Sequence, residues 1–128
     1  MQVPDNLLYT KEHEWVRLEG NLAAIGISDY AQSSLGDITF VEAPSVGIEV
    51  KQFEYCATVE SVKAASDVYA PVSGKVVKTN RTLTEHPEFV NQSPYEKGWF
   101  AVVEMEDEKE TSALMTSAQY NEYVKGLS

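Results

Sequence analysis

The stretch Val59-Glu-Ser-Val-Lys63-Ala-Ala-Ser-Asp67 places one isolated lysine beside a segment of β character. Lys63 is the only cationic residue between Lys51 and Lys75, in a chain whose formal net charge is −10. Small or apolar side chains flank it, and acids stand three residues before it and four residues after it. An enzyme that modifies a single amine needs an accessible and uncrowded lysine on an exposed turn. The pattern therefore predicts that Lys63 is a site of covalent acylation.

Short segments of β character make up most of the chain, and turn residues separate them. These segments are 15–18, 22–27, 38–41, 53–60, 68–70, 75–79 and 99–103. Alternation in 53–60 places the odd-numbered residues on one face of a strand and the even-numbered residues on the other. Residues 99–103 are strongly β in character and are predicted to form a central strand. Residues 82–98 contain two prolines and are expected to form a long loop with one helical turn.

Capping residues predict a few short helices. Ser28 can cap a helix near 29–34 that Gly36 would end. Near the C-terminus, the stretches 107–110 and 116–119 both match the capping-box pattern, which predicts helices at about 108–115 and about 117–125. The packing faces of these two helices would be formed by Leu114, Met115, Ala118, Tyr120 and Val124.

The motif P-x-x-G occurs twice, as Pro44-Ser-Val-Gly47 and as Pro71-Val-Ser-Gly74. Each copy precedes a β segment, and Lys63 lies between the two copies. Two related strand–turn units on either side of a lysine indicate a quasi-symmetric β sandwich with the lysine on a connecting turn. We expect residues 1–128 to form one mainly β domain, with the sandwich over about 1–106 and the C-terminal helices over about 107–126.

The composition argues against several classes of function. Twenty acidic residues against ten basic ones would repel phosphate, so neither nucleic acid nor a membrane is an expected partner. No apolar run reaches the roughly 20 residues that span a bilayer, and the N-terminus has no secretory pattern. We expect a cytoplasmic monomer of the bacterial type, or a protein of the mitochondrial matrix if the chain is a trimmed mature form. His13, His86 and Cys56 are too few and too scattered for a metal site.

Residues 60–67, followed by Tyr69-Ala-Pro-Val-Ser-Gly74, closely resemble the lipoylation region of the glycine cleavage system H protein family. The resemblance continues over nearly the whole chain in several separate motifs. These are Lys11-Glu-His-Glu-Trp15, Ile25-Gly-Ile27 with Ala31-Gln32, Leu35-Gly-Asp37, Val90-Asn91, Ser93-Pro-Tyr95 and Gly98-Trp99. The resemblance implies a flattened β sandwich, or barrel-sandwich hybrid, with short peripheral and C-terminal helices.

The resemblance also implies that Lys63 carries lipoate in amide linkage and that the chain is a carrier without turnover of its own. The implied cycle has three partner enzymes. A pyridoxal-phosphate glycine decarboxylase would load an aminomethyl group onto the arm, and a tetrahydrofolate-dependent aminomethyltransferase would remove it. A dihydrolipoamide dehydrogenase containing FAD would reoxidise the arm, with NAD as the final acceptor. Lipoate-attaching enzymes would install the arm.

An aminomethyl group on sulfur decomposes in water, so a cleft that excludes water would protect it. Because its amine is cationic, such a cleft needs a carboxylate, and Glu14 and Asp67 are the candidates. The resemblance implies that Glu14 holds the arm. We expect an exposed contact of this kind to contribute about 1 kcal/mol. The residues expected to identify the turn to a lipoate-attaching enzyme are Glu60, Ser61, Val62, Ala64, Ala65 and Ser66.

The sequence motifs alone leave other functions open. A biotin carrier also presents a lysine on a β turn, but it usually has methionines beside the lysine, where this chain has Val62 and Ala64. A lipoyl domain of a 2-oxoacid dehydrogenase is shorter and usually has aspartate at the position of Val62. An enzyme with a Schiff-base lysine needs a buried amine among acid and base partners, which an alanine-lined turn does not supply. A non-carrier paralogue, or one that passes lipoate to other proteins, would keep most of these motifs.

Overall fold

The computed structural model describes residues 1–127, which form two β sheets accompanied by short helices. The strands of the described residues are β1 Leu8–Tyr9, β2 Glu14–Glu19, β3 Leu22–Ile27, β4 Ile38–Glu42, β5 Glu49–Val50, β6 Tyr55–Ser61, β7 Ala65–Tyr69, β8 Gly74–Thr79 and β9 Ala101–Met105. The larger sheet has the order β1-β2-β3-β9-β8-β5, and the smaller sheet has the order β4-β6-β7. The mainly β fold with two sheets, predicted from the sequence, is confirmed.

Short helices connect or follow the strands. They are α1 Asp29–Leu35, α2 Thr82–Glu85, α3 Phe89–Gln92, the 3₁₀ helix Glu108–Ala113 and α4 Ser117–Lys125. Helix α1 has the predicted caps, since Ser28 Oγ accepts a hydrogen bond from the Ala31 N–H at 3.2 Å and Gly36 ends the helix with φ +79°. No helix in the part of the chain that the structure describes is long and apolar enough to cross a membrane.

The predicted N-terminal hairpin and the predicted central strand are both present. In the hairpin of β2 and β3, Glu19 lies opposite Leu22, and Gly20 takes the positive φ of +62° at the turn. Strand β9 pairs with β3 on one side and with β8 on the other. It therefore lies inside the larger sheet, as its strongly apolar sequence indicates.

The inner faces of both sheets contribute to one apolar core, because side chains alternate between the two faces of each strand. Its buried members include Val16, Ile25, Val76 and Val103 from the larger sheet and Val41, Ala57, Val59 and Val68 from the smaller sheet. Burial of one such branched side chain contributes on the order of 1.5–3 kcal/mol. The shared core therefore holds the smaller sheet, with its lysine hairpin, against the larger one.

A second buried cluster covers the face of β2 that points away from this core. Trp15 lies opposite Gly26 of β3, and a methyl group on Gly26 would come within 2.6 Å of the indole ring. The indole Nε1 donates to the Pro94 carbonyl at 3.0 Å. Tyr120 of α4 stacks on Tyr9 with ring centroids 4.5 Å apart. The C-terminal helix thus packs against the N-terminal strands and supports the segment that leads into β2.

The alternation predicted over 53–60 is wrong at its N-terminal end. Strand β6 begins only at Tyr55, and its pairing with β7 shifts between Tyr55 and Ala57, which marks a β-bulge. As a result Phe53 and Tyr55 are exposed, whereas Cys56 is partly buried and packs against the core. Phe53 has φ +64°, so the chain turns at this residue and does not continue as a strand.

Residues 82–98 contain two short helices, α2 and α3, where the sequence predicted a loop with one helical turn. Each helix places one apolar side chain in the core, Leu83 from α2 and Val90 from α3. The two helices are four residues long and have no side-chain caps. Tertiary burial therefore decides their position, which a local pattern could not indicate.

The first C-terminal helix is the 3₁₀ helix Glu108–Ala113 and not the predicted α-helix over 108–115. Asp107 caps it by accepting from the Lys109 N–H at 3.0 Å, but Glu110 does not complete the predicted capping box. The Glu110 carboxylate accepts instead from the N–H and the hydroxyl of Ser73, both at 2.7 Å. A long-range contact therefore replaces the local one.

Helix α4 has the predicted capping box between Thr116 and Gln119. Tyr120 and Val124 are buried as expected, but Ala118 is exposed and does not belong to the packing face.

The two P-x-x-G turns lead into β5 and β8, and these strands pair with each other through Glu49 and Lys75. Gly47 has φ +95° and Gly74 has φ +156°, and a methyl group on Gly74 would collide with the Glu104 carbonyl.

Candidate functional site

Lys63 lies in the turn that joins β6 to β7. The last strand pair is Glu60 with Ala65, and the Ser61 N–H donates to the Ala64 carbonyl at 2.8 Å. The Ser61 hydroxyl oxygen accepts from the N–H groups of Lys63, at 3.1 Å, and Ala64, at 3.2 Å. These two amides belong to the turn and have no partner in the strand ladder, so the serine side chain fixes the turn that carries the lysine.

The turn is also attached to a neighbouring part of the chain. The Val62 N–H donates to the Asp37 carbonyl at 3.0 Å, which joins the turn to the connection between α1 and β4. Asn91 of α3 supports this connection, because its side chain donates to the Gly36 carbonyl and accepts from the Ile38 N–H, both at 2.9 Å. The backbone of the lysine turn is therefore tied directly to the α1–β4 connection and, through that connection, to α3.

The Lys63 side chain is exposed and passes close to Gly36. A methyl group on Gly36 would lie 3.6 Å from Lys63 Cε. The Nζ atom lies 3.4 Å from the Ser34 carbonyl, a distance at which a hydrogen bond is weak. Within residues 1–127 the amine has no strong partner, and it is displayed at the C-terminal end of α1.

Two neighbouring clefts extend from this region toward the N-terminal strands. The Ser34 cleft has a volume of about 450 Å³, and its lining runs from Ser34 and Leu35 of α1 to His13 and Tyr30. Ala65, Ser66 and Asp67 of β7 also line it. The Glu14 cleft has a volume of about 520 Å³ and is lined by Glu14, Phe53 and Met115, among other residues. Glu12 and Tyr69 line both clefts and form the boundary that they share.

Glu14 is a buried carboxyl group with specific partners. Only 2% of its surface is exposed. The Thr10 hydroxyl donates to Oε1, and the Tyr69 N–H donates to Oε2 at 3.1 Å. The Thr10 oxygen also accepts from the backbone N–H of Glu14 at 3.0 Å. These contacts hold the carboxyl group between β2 and β7 and leave further lone pairs on both of its oxygens.

Burial raises the pKa of Glu14 to about 7, because the charged form loses its hydration. The hydrogen bonds from Thr10 and Tyr69 favour the charged form and oppose this rise, while the nearby charge of Glu12 adds to it. Near neutral pH the group is therefore shared between its protonated and ionised forms. A cation that entered the cleft would favour the ionised form.

A family model described as glycine cleavage H-protein matches residues 7–127, which include the lysine turn and both clefts. The chain belongs to the glycine cleavage H-protein family. The glycine cleavage system H protein of Staphylococcus saprophyticus is 53% identical over 124 residues, which is 97% of this chain and 98% of that protein. The H protein of a Geobacillus species is 55% identical over 125 residues, 98% of each chain.

A solved structure of the same family has the same fold. The crystal structure of a glycine cleavage system H protein from Mycobacterium marinum gives a TM-score of 0.84 at 33% sequence identity. The match covers 97% of this chain and 98% of that one. The β sandwich described above is therefore the H-protein fold, and the family expected from the sequence motifs is confirmed.

Within this H-protein fold, the two predicted carboxylates line different clefts. Glu14 lies in the Glu14 cleft and is buried, so the expectation that its contact would be exposed is wrong for this residue. Asp67 is exposed and lines the Ser34 cleft. Glu12 and Tyr69 stand between them and were not singled out from the sequence. The Lys11–Trp15 motif contains Glu12, but nothing in the motif indicates that its side chain faces two clefts.

The residues predicted to identify the turn surround Lys63, but they differ in exposure. Four of them are exposed, namely Glu60, Val62, Ala64 and Ala65. Ser61 and Ser66 are partly buried, since the first fixes the turn and the second lines the Ser34 cleft. Val62 is 68% exposed and is therefore accessible to a partner. Recognition of these residues by an attaching enzyme stays a prediction.

Contacts that support the position of Glu14 come from distant parts of the chain. His13 precedes it with φ +74°, a conformation that costs energy in a residue other than glycine. Its Nδ1 lies 2.8 Å from the Tyr120 hydroxyl, which in turn lies 2.7 Å from Ser28 Oγ. Burial lowers the pKa of His13, which favours the neutral imidazole. Sequence reasoning missed this link, because it joins α4 and α1 to the start of β2.

Among residues 1–127, no three His, Cys, Asp or Glu side chains are grouped as a metal site requires. Burial raises the pKa of Cys56 to about 12, with a smaller contribution from the charge of Glu14. The thiol therefore stays protonated at neutral pH and is not a reactive thiolate.

The raised pKa of Glu14 predicts a specific dependence of stability on pH. Its carboxyl group binds a proton more tightly in the folded chain than in the unfolded one, whose pKa is near 4.5. The resulting stabilisation is complete below pH 4.5 and is lost as the pH rises through about 7. Relative to Glu14→Gln, the wild type should lose on the order of 3 kcal/mol of unfolding free energy over this interval.

Urea unfolding of both proteins between pH 4 and pH 8 measures this difference. Glu19→Gln removes an exposed acid from the same strand and should unfold in parallel with the wild type. Parallel curves for Glu14→Gln and the wild type would mean that Glu14 is not desolvated as described.

Proposed function

We propose that this chain is a lipoyl-carrying shuttle of the glycine cleavage system. Lys63 holds lipoate in amide linkage, accepts an aminomethyl group from glycine decarboxylase and presents it to the aminomethyltransferase. Dihydrolipoamide dehydrogenase then reoxidises the arm. This proposal rests mainly on the position of the Lys63 amine, which is exposed on a fixed turn beside the Ser34 cleft.

The residues around Lys63 fit an acylated lysine. The Ser34 carbonyl lies 3.4 Å from Nζ, and Ser34 itself lines the cleft, so a chain attached to Nζ starts at the edge of that cleft. A lysyl side chain extended by a lipoyl group reaches on the order of 14 Å. Lipoate supplies a dithiolane that can be reduced as it accepts a one-carbon unit and oxidised afterwards. The protein supplies a fixed anchor, a cleft and carboxyl groups.

Glu14 supports the second part of the proposal. A buried carboxyl group with a pKa of about 7 stabilises a cationic amine by giving up its proton as the amine binds. Thr10 and Tyr69 hold its two oxygens in place, so little rearrangement is needed. Asp67 and Glu12 add negative charge along the route from Lys63 to this cleft. Water exclusion in the cleft would then protect the cargo from hydrolysis.

The chain itself needs no catalytic residue in this role, because the partner enzymes and their cofactors perform the chemistry. As part of the proposal we treat residues 1–128 as one carrier domain that acts as a monomer in the cytoplasm. The bacterial origin of its similar relatives supports that location.

Intact mass tests the attachment directly. The chain expressed in a host that attaches lipoate should gain the mass of one lipoyl group, and Lys63→Arg should abolish this gain. Lys51→Arg changes the preceding lysine of the chain and should retain the gain. An unmodified wild type in a host that lipoylates its other acceptors, or a gain that survives in Lys63→Arg, would contradict the proposal. A gain of the mass of biotin would favour a biotin carrier.

The lifetime of the loaded arm tests the role of Glu14. Glu14→Ala should be lipoylated as well as the wild type, but its aminomethyl-loaded form should decompose several-fold faster, since the cationic amine loses its carboxylate. Release of ammonia and formaldehyde from the isolated loaded protein measures the rate. Glu19→Ala serves as the control for the loss of an acid. Equal lifetimes of Glu14→Ala and the wild type would remove Glu14 from the protective role.

A further inference from the structure

Negative charge is distributed unevenly between the two sheets. The strands of the smaller sheet contain three acids, Glu42, Glu60 and Asp67, and neither lysine nor arginine. In the larger sheet three bases balance the three acids that are not buried; the bases are Arg17, Lys75 and Lys78, and the acids are Glu19, Glu49 and Glu104. The net negative charge of the strands is therefore confined to the sheet that carries the lysine turn.

The acids of the smaller sheet lie on one face. One row of paired residues is Glu42, Thr58 and Asp67, and the next row is Phe40, Glu60 and Ala65. Val59 of β6 lies between the two rows and Ala57 precedes the first of them, and both side chains are buried in the core. The two rows therefore point outward, and we call Phe40, Glu42, Thr58, Glu60, Ala65 and Asp67 the acidic face.

An aromatic ring stands within this acidic face. Phe40 is 45% exposed and lies opposite Glu60, one step from the end of the strand pair that leads to Lys63. Large aromatic side chains surrounded by polar ones are the usual anchors of protein–protein contacts. Tyr55 is 46% exposed and its hydroxyl lies 2.6 Å from Thr58 Oγ1, which extends the aromatic surface along β6.

We propose that the acidic face is the docking surface for the enzyme that acylates Lys63, and that this enzyme presents basic groups around an apolar pocket for Phe40. The proposal rests on the proposed function and identifies how its first partner recognises the chain. Glu60 and Ala65 form the last pair before the turn, so a protein that covers this face meets Lys63 at the edge of the contact. Basic groups on the partner complement the three acids of this face, although Arg81 lines the same groove as Phe40 and Glu42 and offsets part of their charge.

The size of the face determines the kind of complex. Three strands about 4.8 Å apart, each about five residues long, present an area on the order of 200 Å². A stable interface buries about 800 Å² on each partner, so this contact is small and transient unless the turn adds to it. Its rate of formation then depends mainly on charge attraction, which salt screens over about 10 Å at 0.1 M ionic strength.

The test uses the full chain without its arm, together with a lipoate–protein ligase, lipoate and ATP. The ligase joins the lipoate carboxylate to the α-phosphate of ATP, which gives lipoyl-adenylate and releases pyrophosphate. The Lys63 amine then displaces AMP, loses a proton and becomes an amide. Initial rates against carrier concentration give KM and kcat at ionic strengths of about 0.02 M and about 0.5 M. Glu42→Lys should raise KM about fivefold or more at low salt with little change in kcat, and the effect should shrink at high salt.

Matched variants on the larger sheet distinguish a loss of docking from an effect that the same charge change or truncation would have anywhere on the surface. Glu19→Lys makes the same charge change on the larger sheet and should leave KM within about twofold of the wild type. Phe40→Ala should raise KM at both salt concentrations, whereas Val77→Ala, which truncates an exposed side chain of β8, should not. Thermal unfolding confirms that each variant is folded, and Glu42→Gln gives a milder charge change if Glu42→Lys is destabilised.

The outcomes distinguish this inference from the proposed function. If the wild type is acylated at Lys63 but Glu42→Lys and Glu19→Lys have the same KM, the docking proposal is overturned and the carrier proposal stands. A wild-type kcat/KM that does not change with salt would also overturn it. If Lys63 of the wild type is not acylated, the proposed function fails, and the docking proposal fails with it.

Discussion

The hydrogen bond from the Val62 N–H to the Asp37 carbonyl joins the lysine turn to the rest of the fold. The Ser61 hydroxyl closes the same turn from within, and Asn91 holds the connection that contains Asp37. Because the backbone is bound on both sides, movement is left to the side chain of Lys63. A long flexible arm on a fixed anchor can visit several enzymes without any rearrangement of the protein that carries it.

Glu14 is a buried carboxyl group that lines a cleft. Burial of a carboxyl group is unfavourable, and Glu14 is buried because its side chain lies between β2 and β7. The strained backbone of His13 stands beside it and is held by Tyr120. Unfavourable features that cluster beside a cleft are typical of sites selected for function. Helix α4 contributes to this arrangement because it supplies Tyr120, which contacts His13.

Local patterns predicted the parts of the fold that local interactions decide. The β2–β3 hairpin, the caps of α1 and the exposed lysine follow from turn residues, capping residues and spacing, and they were predicted correctly. Contacts between distant residues decided the rest. The turn at Phe53 and the bulge near Cys56 leave two aromatic side chains exposed. The Glu110 carboxylate, which the sequence predicted to complete a helix cap, accepts hydrogen bonds from Ser73 instead. The burial of Glu14 likewise depends on β7, which lies far from it in the chain.

Backbone amide relaxation measured by NMR tests whether the turn that carries Lys63 is rigid. Order parameters at Val62, Lys63 and Ala64 should be near 0.85, as in the flanking strands, while the Lys63 side chain is mobile. Values below about 0.6 at these three amides, with rigid strands on either side, would contradict the account. The turn would then be a flexible tether, and its contacts with Asp37 and Ser61 would not fix the lysine.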